Sequence, residues 1–273
     1  VTVNTNKPVL VDPKGRGLYA GMTFVSTEEG LDRVARGAEP RTVNELLALE
    51  KQQEKVAKEI SAVTVNIQQG SAQGSGVIIT PSGYVLTAAH VAGKPGRDAT
   101  VILSTGRRVR AKTLGTNRTM DAGLIQIVEG NSDSWPHASL GRSEELRLGQ
   151  WVIAAGHPGG WMSDRPAVVR VGRILAIMKS TLVTDCALIG GDSGGPLFDL
   201  NGRLIGIHSR IGTDTTDNMH VPIDVYRDSW ERMVAGQSWG TLPGYKPMIG
   251  VVGKLPDATS NAASAEIARV VEG

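Results

Sequence analysis

The sequence predicts an all-β protein preceded by one long helix. Val, Ile and Gly are abundant, whereas only 2 of the 273 residues are Phe, a composition that suits short strands and tight turns. Short apolar segments separated by Gly, Pro, Asn or Ser recur between about residues 63 and 223. Helix-forming residues dominate the segment just before them, at 42–60.

The region before the strands divides into an arm and a helix. Residues 1–41 mix Pro, Gly, charged residues and short apolar pieces without a period, so we expect an extended arm. In the helix at 42–60, Thr42 or Asn44 can cap the first turn. A spacing of three or four residues gives this helix one apolar stripe, interrupted by a glutamine: Leu46, Leu49, Gln53, Val56 and Ile60. The stripe either packs on the β core or forms a short coiled-coil or oligomer contact.

Two groups of six segments predict strands within a domain at 61–235. The first group comprises 63–67, 76–80, 84–88, 100–103, 107–116 and 124–128. The second group comprises 150–155, 167–177, 182–184, 196–200, 203–209 and 219–223. Asn201 and Gly202 have the composition of a hairpin turn, and residues 225–234 predict a closing helix.

Residues 190–196 read Gly-Gly-Asp-Ser-Gly-Gly-Pro, a pattern typical of a catalytic serine. Glycines on both sides of Ser193 let the backbone turn tightly, expose one hydroxyl and aim N–H groups at a single point. A nucleophilic serine needs a base, and His90 ends an apolar segment that follows a Pro-Ser-Gly turn. Asp121 stands before another apolar segment, where a dry carboxylate needs a donor such as an imidazole N–H. The order His, Asp, Ser predicts a catalytic triad.

Several longer motifs surround these three residues. They are Gly74-Ser-Gly-Val-Ile-Ile, Val85-Leu-Thr-Ala-Ala-His-Val, Asp121-Ala-Gly-Leu-Ile, the segment 139–158, Thr184-Asp-Cys-Ala, Gly191-Asp-Ser-Gly-Gly-Pro-Leu-Phe and Leu204-Ile-Gly-Ile. With these motifs the chain resembles the trypsin-like serine proteases and, within them, the HtrA or Deg proteases, over about residues 60–224. The resemblance implies two six-stranded antiparallel β-barrels with the triad in the cleft between them.

The resemblance also implies roles for the neighbours of the nucleophile. The oxyanion hole is expected at Gly191, Asp192 and Ser193, with the N–H groups of Gly191 and Ser193 as donors. Ala187 is expected at the floor of the specificity pocket, which then favours a small or medium apolar residue before the cleaved bond. The other expected substrate-binding residues are Leu188, Ile189 and Ile207 as pocket walls, with His208, Ser209 and Arg210 beside them.

Asp192 departs from the Deg pattern, in which Asn usually precedes the nucleophile. In zymogen-activated relatives this aspartate pairs with a new N-terminal ammonium, and the chain has no Ile-Val-Gly-Gly start. The carboxylate then stays in solvent or pairs with a cation such as Arg170, Arg173 or Arg210. We hypothesise an unpaired carboxylate that leaves the oxyanion loop mobile until substrate or an effector orders it.

The remaining cysteine and histidines suggest structural roles. The single cysteine, Cys186, excludes an intrachain disulfide and is expected to be a small buried residue, with a reactive thiol as the alternative. The other histidines lack metal-ligand spacing and are expected on the surface or in loops: His137, His157, His208 and His220. No metal and no cofactor are expected.

Charge and hydropathy limit the kinds of partner that the chain is expected to have. A formal net charge of +2 gives no reason to expect nucleic acid, and no stretch approaches the roughly 20 apolar residues of a membrane span. The chain begins Val-Thr-Val, without an initiator Met or the apolar core of a signal peptide. We therefore expect the trimmed form of an exported protein, periplasmic or secreted.

The end of the chain predicts a second domain. Residues 236–246 have the composition of a linker, and residues 247–273 are similar to the opening third of a PDZ domain. Because an incomplete sheet cannot bury its own face, this segment is either a domain cut short or has another role.

These features predict a serine endopeptidase of protein quality control that cleaves unfolded or misfolded proteins and peptides. Deg proteases often combine cleavage with chaperone action and assemble as trimers. A homo-oligomer would form here through the helix or through the arm, where Tyr19 and Phe24 are the aromatic residues. The alternatives are a protease-shaped chaperone or binding scaffold with latent activity, and an esterase or other acyl hydrolase on the same barrels.

Overall fold

Two closed β-barrels make up the main unit of the protein. The computed structural model describes residues 31–129 and 135–244, together with the backbone of residues 251–254 and 266–270. The chain divides into a first unit that ends at Leu242 and a second that begins at Pro243.

Four α-helices are found in the described residues of the first unit. They are α1 (Leu31–Ala35), α2 (Val43–Ser61), α3 (Ala89–Ala92) and α4 (Ile223–Val234). A single 3₁₀ turn at Ser143–Glu145 accompanies them in the same part of the chain.

The first barrel closes through six antiparallel strands. They are β1 (Thr64–Gln69), β2 (Ala72–Ile78), β3 (Tyr84–Ala88), β4 (Asp98–Ile102), β5 (Arg108–Asn117) and β6 (Ala122–Ile127). The hydrogen-bonded order is β5-β4-β1-β2-β3-β6, and pairing of β5 with β6 closes the sheet. Closure leaves no free strand edge among the six.

The second barrel has the same architecture and follows the two-residue strand β7 (Ser139–Leu140). Its strands are β8 (Trp151–Gly156), β9 (Val168–Ile177), β10 (Leu182–Thr184), β11 (Pro196–Asp199), β12 (Arg203–Ile211) and β13 (Asn218–Pro222). Their order is β11-β8-β9-β10-β13-β12, closed by the pairing of β11 with β12. The two predicted six-stranded barrels are therefore confirmed.

Two short strands escaped prediction. The strand β7 pairs in parallel with β12, and β14 (Ser238–Trp239) pairs in parallel with β5. Neither was visible in the sequence because two residues are too few for an alternating pattern.

Three apolar clusters hold the first unit together. One, which includes Val65, belongs to the first barrel, and another, which includes Val152, belongs to the second. The largest joins both barrels with residues of α2 and α4, and it contains Leu86, Phe198 and Ile207. This shared core fixes the position of one barrel against the other.

The helix α2 packs on the barrels, which is the first of its two predicted alternatives. Its first turn is capped by Thr42, whose Oγ1 accepts the Glu45 N–H at 3.2 Å. The buried side chains are Leu49, Gln52, Val56 and Ile60. Two members of the predicted stripe are therefore wrong: Leu46 is 53% exposed, and the buried glutamine is Gln52 instead of Gln53.

The predicted extended arm is wrong at its end. Residues Leu31–Ala35 form α1, which buries Leu31 and Val34. Its Arg33 Nη2 lies 2.8 Å from Glu45 Oε1 of α2, so an ion pair joins the two helices. Residues 1–30 of the arm lie outside the described residues.

In the second unit, the backbone of β15 (Val251–Lys254) pairs antiparallel with that of β16 (Glu266–Val270). The rest of the predicted PDZ-like segment at 247–273 lies outside the described residues, so its identity stays a prediction.

The helices can also be compared with the thickness of a bilayer. Of those in the described parts of the chain, none combines the length and apolar character that a membrane crossing requires.

Replacing Gln52 tests how α2 is held. Its Nε2 donates a hydrogen bond of 2.6 Å to the buried carbonyl of Leu200. We expect Gln52→Ala to lower the free energy of unfolding by about 1–3 kcal/mol, because it leaves that carbonyl without its donor. Urea unfolding followed by circular dichroism measures the change.

Gln53→Ala is the matched control, because the Gln53 side chain is only partly buried and makes no hydrogen bond within the described residues. It should change the free energy of unfolding by less than about 0.5 kcal/mol. Equal effects of the two substitutions would contradict the assigned role of Gln52.

Candidate active site

Strand pairing in the first barrel brings His90 beside Asp121. Strands β3 and β6 are antiparallel, with Ala88 opposite Ala122. His90 follows β3 in α3, and Asp121 immediately precedes β6. The Ala89 N–H donates to the Asp121 carbonyl at 3.0 Å, which locks the two segments together.

The Asp121 carboxylate is buried, at 4% exposure, and accepts three hydrogen bonds. His90 Nδ1 lies 2.9 Å from Oδ2, and the His90 backbone N–H donates to Oδ1 at 3.1 Å. Ser209 Oγ, from the second barrel, donates to Oδ2 at 2.6 Å. These donors hold the carboxylate in place, and the carboxylate in turn orients the imidazole.

Asp121 also has an unusual backbone. Its φ of +58° is the only positive value of a non-glycine residue in the described part of the chain. Aspartate tolerates this left-handed region better than most residues, but such strain persists only where the surroundings impose it. At Asp121 it aims the carboxylate at His90.

The turn around Ser193 depends on its glycines. Gly191 and Gly194 have φ of +99° and +83°. A Cβ on Gly194 would lie only 2.3 Å from the Ser75 carbonyl oxygen, so a larger residue does not fit. The Ser193 carbonyl accepts the Ser75 N–H at 2.7 Å, which ties the turn to the first barrel.

The same contact brings Ser193 close to the segment of His90. A Cβ built on Gly74 would lie 2.8 Å from the Ser193 carbonyl oxygen and 2.7 Å from Cγ2 of Val91, the neighbour of His90. The segments that carry the three residues predicted as a triad therefore lie next to one another where the two barrels meet.

The backbone of the turn is arranged to leave two N–H groups free. Neighbouring carbonyls are occupied, since Gly190 O accepts the Gly159 N–H at 2.7 Å and Gly191 O accepts Ser75 Oγ at 2.8 Å. Within the described residues, the N–H groups of Gly191 and Ser193 donate to no protein acceptor. Such a pair of free donors suits an oxyanion.

The Asp192 N–H is not part of this pair. It donates to the Ile189 carbonyl at 3.1 Å. The tight turn uses that N–H internally, in agreement with the expectation that Gly191 and Ser193 supply the donors. The place of Asp192 among the oxyanion-hole residues stays a prediction.

The carboxylate of Asp192 is fully buried and paired. Its Oδ2 lies 3.1 Å from Nη2 of Arg170 and accepts the Ile189 N–H at 3.0 Å. Burial raises the pKa of Asp192, and Arg170 opposes that shift. Gly156 leaves room for the carboxylate, since a Cβ there would lie 2.5 Å from Oδ1.

The hypothesis of an unpaired Asp192 is thus wrong. A carboxylate without access to water needs a cation, and of the three candidates Arg170 supplies it.

The predicted pocket residues do not all reach the surface. Ala187 and Ile189 are exposed, the latter at 56%, whereas Leu188 is mostly buried. Ile207 is a wrong prediction for a wall, because it has no exposed surface and lies in the core shared by the barrels. Arg210 is exposed, beside Ser209.

Three of the four histidines expected on the surface or in loops are buried. These are His157, His208 and His220, all at most 2% exposed, and only His137 is partly accessible. As a consequence the side chain of His208 also cannot contact substrate as predicted. His208 and His220 occupy inward-facing strand positions, which bury even polar residues when partners are available, and His157 is buried in the loop after β8.

Cys186 is buried in the second barrel. Burial raises the pKa of its thiol to about 11, which argues against the reactive-thiol alternative.

Ser75 was quoted within a motif but given no role. Its Oγ donates to Gly191 O and accepts the His157 N–H at 2.9 Å. One hydroxyl therefore links the Ser193 turn, β2 and the loop after β8. No spacing in the sequence connects residues so far apart.

Within the described residues, no group of three or more potential metal ligands lies close together.

Comparison with known proteins supports the same fold and chemistry. Residues 74–207 match the family model of the trypsin-like peptidase domain. The chain is 38% identical over 168 residues to "Probable periplasmic serine endoprotease DegP-like" of Halomonas elongata, covering 57% of this chain and 34% of that protein. A protein of the same description from Hahella chejuensis is 35% identical over 170 residues, covering 59% and 35%. The chain spans about a third of the length of these relatives.

Solved structures of similar fold are known. "HtrA-type protease AlgW with tripeptide" matches with a TM-score of 0.60 and 24% identity, covering 81% of this chain and 76% of that one. "Crystal structure of Deg5" matches with a TM-score of 0.59 and 22% identity, covering 70% and 98%. At these identities the likeness concerns the fold.

The buried histidines predict a loss of stability in mild acid. Burial lowers the pKa of His157 to about 4 and that of His220 to about 3, and it also lowers the pKa of His208. The unfolded chain binds these protons near pH 6.5, whereas the folded chain does not. The free energy of unfolding should therefore fall as the pH drops below about 6.5, by about 1.4 kcal/mol per pH unit for each histidine. Urea unfolding at several pH values between about 7 and 5 measures the slope.

His220→Asn should give a shallower slope by one histidine's share, and comparing it with wild type cancels the contribution of the buried aspartates. His137→Asn, at a partly accessible position, should keep the wild-type slope. Parallel slopes for all three proteins would show that these histidines titrate alike in both states.

Proposed function

We propose that this chain is a serine endopeptidase of the HtrA/Deg type, with His90, Asp121 and Ser193 as its triad. The match of residues 74–207 to the trypsin-like peptidase domain and the relatives named as DegP-like endoproteases support the proposal. One observation supports this most directly. His90 Nδ1 lies 2.9 Å from a buried Asp121 carboxylate, beside a turn whose Gly191 and Ser193 N–H groups donate to no acceptor in the described residues.

In the proposed reaction, Ser193 Oγ attacks the carbonyl carbon of a peptide bond while His90 Nε2 takes its proton. The same proton then passes to the leaving amine, and water repeats the two steps on the acyl-enzyme. Asp121 fixes the tautomer of His90 through the Nδ1 contact and stabilises the imidazolium that forms. The His90 side chain is 38% exposed, so it is accessible to a substrate.

The negative charge that develops on the carbonyl oxygen would be bound by the N–H groups of Gly191 and Ser193. Each such donor contributes about 3 kcal/mol to the transition state in comparable enzymes. Arg170 acts on this hole indirectly, because it compensates the charge of Asp192, the residue between the two donors.

The proposed specificity pocket consists of Ala187, Leu188 and Ile189. With no carboxylate among them, it favours a small or medium apolar side chain before the cleaved bond. Arg210 is exposed next to Ser209 and would attract acidic substrate positions.

Unfolded or misfolded proteins are the proposed substrates, since a cleft between barrels accepts a chain only in extended form. Relatives named as periplasmic serine endoproteases support export of this protein. A role in protein quality control follows from the proposed substrates. The alternative of a chaperone with latent activity is not favoured, because a scaffold has no use for an oriented His90 and two free donors. An oligomer through the helix remains part of the proposal, with Val43, Leu46 and Leu47 as the exposed apolar residues of α2.

Labelling with a fluorophosphonate tests the nucleophile. We expect a single adduct, mapped by digestion to Ser193, and a loss of casein hydrolysis on the order of 10⁴-fold or more in Ser193→Ala. Ser163→Ala, at an exposed serine after β8, is the control and should keep wild-type activity. Labelling elsewhere, or an active Ser193→Ala protein, would refute the proposed triad.

Mass mapping of the casein fragments from the same digests reads the pocket. Cuts should follow small and medium apolar residues, and frequent cuts after Lys or Arg would refute the assignment of Ala187 as its floor.

Arg170→Met tests whether the buried ion pair positions the oxyanion turn. It leaves the Asp192 carboxylate buried without its cation, so we expect kcat/KM to fall by at least about 10-fold. Adding Asp192→Asn should restore part of the loss, since the neutral amide no longer needs a cation. Peptide hydrolysis by the single and double variants measures both effects.

Arg173→Met is the matched control on the same strand, where Arg173 stacks on Trp151 at 4.2 Å from the ring centroid. It should retain nearly full activity. A double variant no better than Arg170→Met would argue against charge compensation as the role of Arg170.

A further inference from the structure

Two fully buried histidines face each other behind the nucleophile. His208 of β12 and His220 of β13 are direct cross-strand neighbours, and the register of the two strands shifts just after them. Their Nδ1 atoms lie 2.9 Å apart, and His220 Nε2 lies 2.8 Å from Thr184 Oγ1 of β10. A row of hydrogen bonds therefore crosses three strands of the second barrel.

The hydrogen bond between the two Nδ1 atoms fixes the relation between the tautomers. One Nδ1 carries the donated proton and the other accepts it, so in a neutral pair the accepting ring carries its own proton on Nε2. The Thr184 hydroxyl, which accepts the Cys186 N–H at 3.3 Å, ends the row at His220 Nε2. The two neutral histidines are therefore of opposite tautomers.

The His208 end of the row is attached to the Ser193 turn. The Gly194 N–H donates to the His208 carbonyl at 2.7 Å, and the His208 N–H donates to Gly195 O at 2.8 Å. The imidazole lies against the same turn, since a Cβ on Gly195 would come within 2.9 Å of His208 Cδ2. The ring therefore packs against Gly195, the second residue after Ser193.

The other end of the row lies under the proposed specificity pocket. Cys186 directly precedes Ala187, and Asn218 holds the next residue through its Oδ1, which accepts the Leu188 N–H at 2.8 Å. The row therefore connects the segment that bears the nucleophile with the segment that bears the pocket floor.

We propose that His208 and His220 form a neutral imidazole pair of opposite tautomers that positions the Ser193 turn, making both of them positioning residues of the peptidase site. The proposal rests on the proposed function for the meaning of that turn. Burial and the nearby Arg170 guanidinium, the charged group that acts on His208, both disfavour a proton on the pair and keep it in the neutral state.

The tautomers can be read directly by long-range ¹H–¹⁵N spectroscopy of the ¹⁵N-histidine-labelled full chain. One ring should be protonated at Nδ1 and the other at Nε2, without change between about pH 5 and pH 8. Spectra of His208→Asn and His220→Asn assign the signals. Identical tautomers, or titration of either ring near about pH 6.5, would overturn the proposal.

A pair of variants at His220 tests the positioning. The amide of His220→Asn can still form a hydrogen bond with His208 Nδ1 from the position of the lost ring nitrogen, whereas the side chain of His220→Leu cannot. We expect His220→Leu to lower kcat by about 10-fold with KM changed less than about twofold, and His220→Asn to stay within about threefold of wild type. Equal activities of the two variants would overturn the positioning role.

Hydrogen exchange provides a readout that does not depend on activity. In His220→Leu, peptides covering residues 188–200 should exchange at least about threefold faster, while β1 and β2 keep their protection. A uniform increase over both barrels, or no increase, would reduce the pair to a general structural role. If the wild-type chain cleaves nothing and Ser193 is not labelled, the proposed function fails, yet the tautomers and the exchange pattern still decide whether the pair holds this turn.

Discussion

Side chains of both barrels meet in one buried layer, where Leu86 and Leu124 of the first pack with Phe198 and Ile207 of the second. The polar contacts of the candidate site join residues on opposite sides of this layer. Asp121 belongs to the first barrel, yet the Ser209 hydroxyl that holds its carboxylate comes from the second. The Ser193 carbonyl is in turn held by Ser75 of the first barrel. Apolar packing, which has no direction of its own, thereby sets distances that the polar groups need to within a fraction of an ångström.

Behind the Ser193 turn, the second barrel buries polar groups at positions where apolar side chains would give a more stable core. Asp192 with Arg170, and His208 with His220, each remove from water a group that tolerates this only when paired. Directional contacts give such groups one arrangement, whereas methyl groups would pack in several. These polar groups lower the stability of the barrel, but they give the residues next to Ser193 a single position.

The strands and the three triad candidates could be predicted because their signals are local. Alternating apolar residues specify a strand, and the glycines around Ser193 specify a turn with exposed donors. The face of α2 that is buried was harder to predict. Each residue turns a helix by about 100°, so Gln53, the glutamine of the predicted stripe, lies off the buried face that contains Gln52.

Pairings between distant segments could not be read in the same way. Arg170 was one of three equally plausible cations for Asp192, and only the path of β9 selects it. Ile207 was expected at a pocket wall, but the core between the barrels covers it. His208 and His220 were expected on the surface or in loops, because the sequence around a single polar residue in a strand does not show which residue it contacts. That partner emerges only from the register of β12 and β13.

The division of the site between two barrels has a consequence for the time at which it comes into being. Each barrel pairs strands that are far apart in sequence, as β11 is with β8, and such topologies fold slowly. The first barrel carries the oriented histidine, and the second carries the turn with its free donors. Under the proposed function, a chain with only one barrel formed cannot cleave its neighbours, so newly made copies are not digested by those that are still folding.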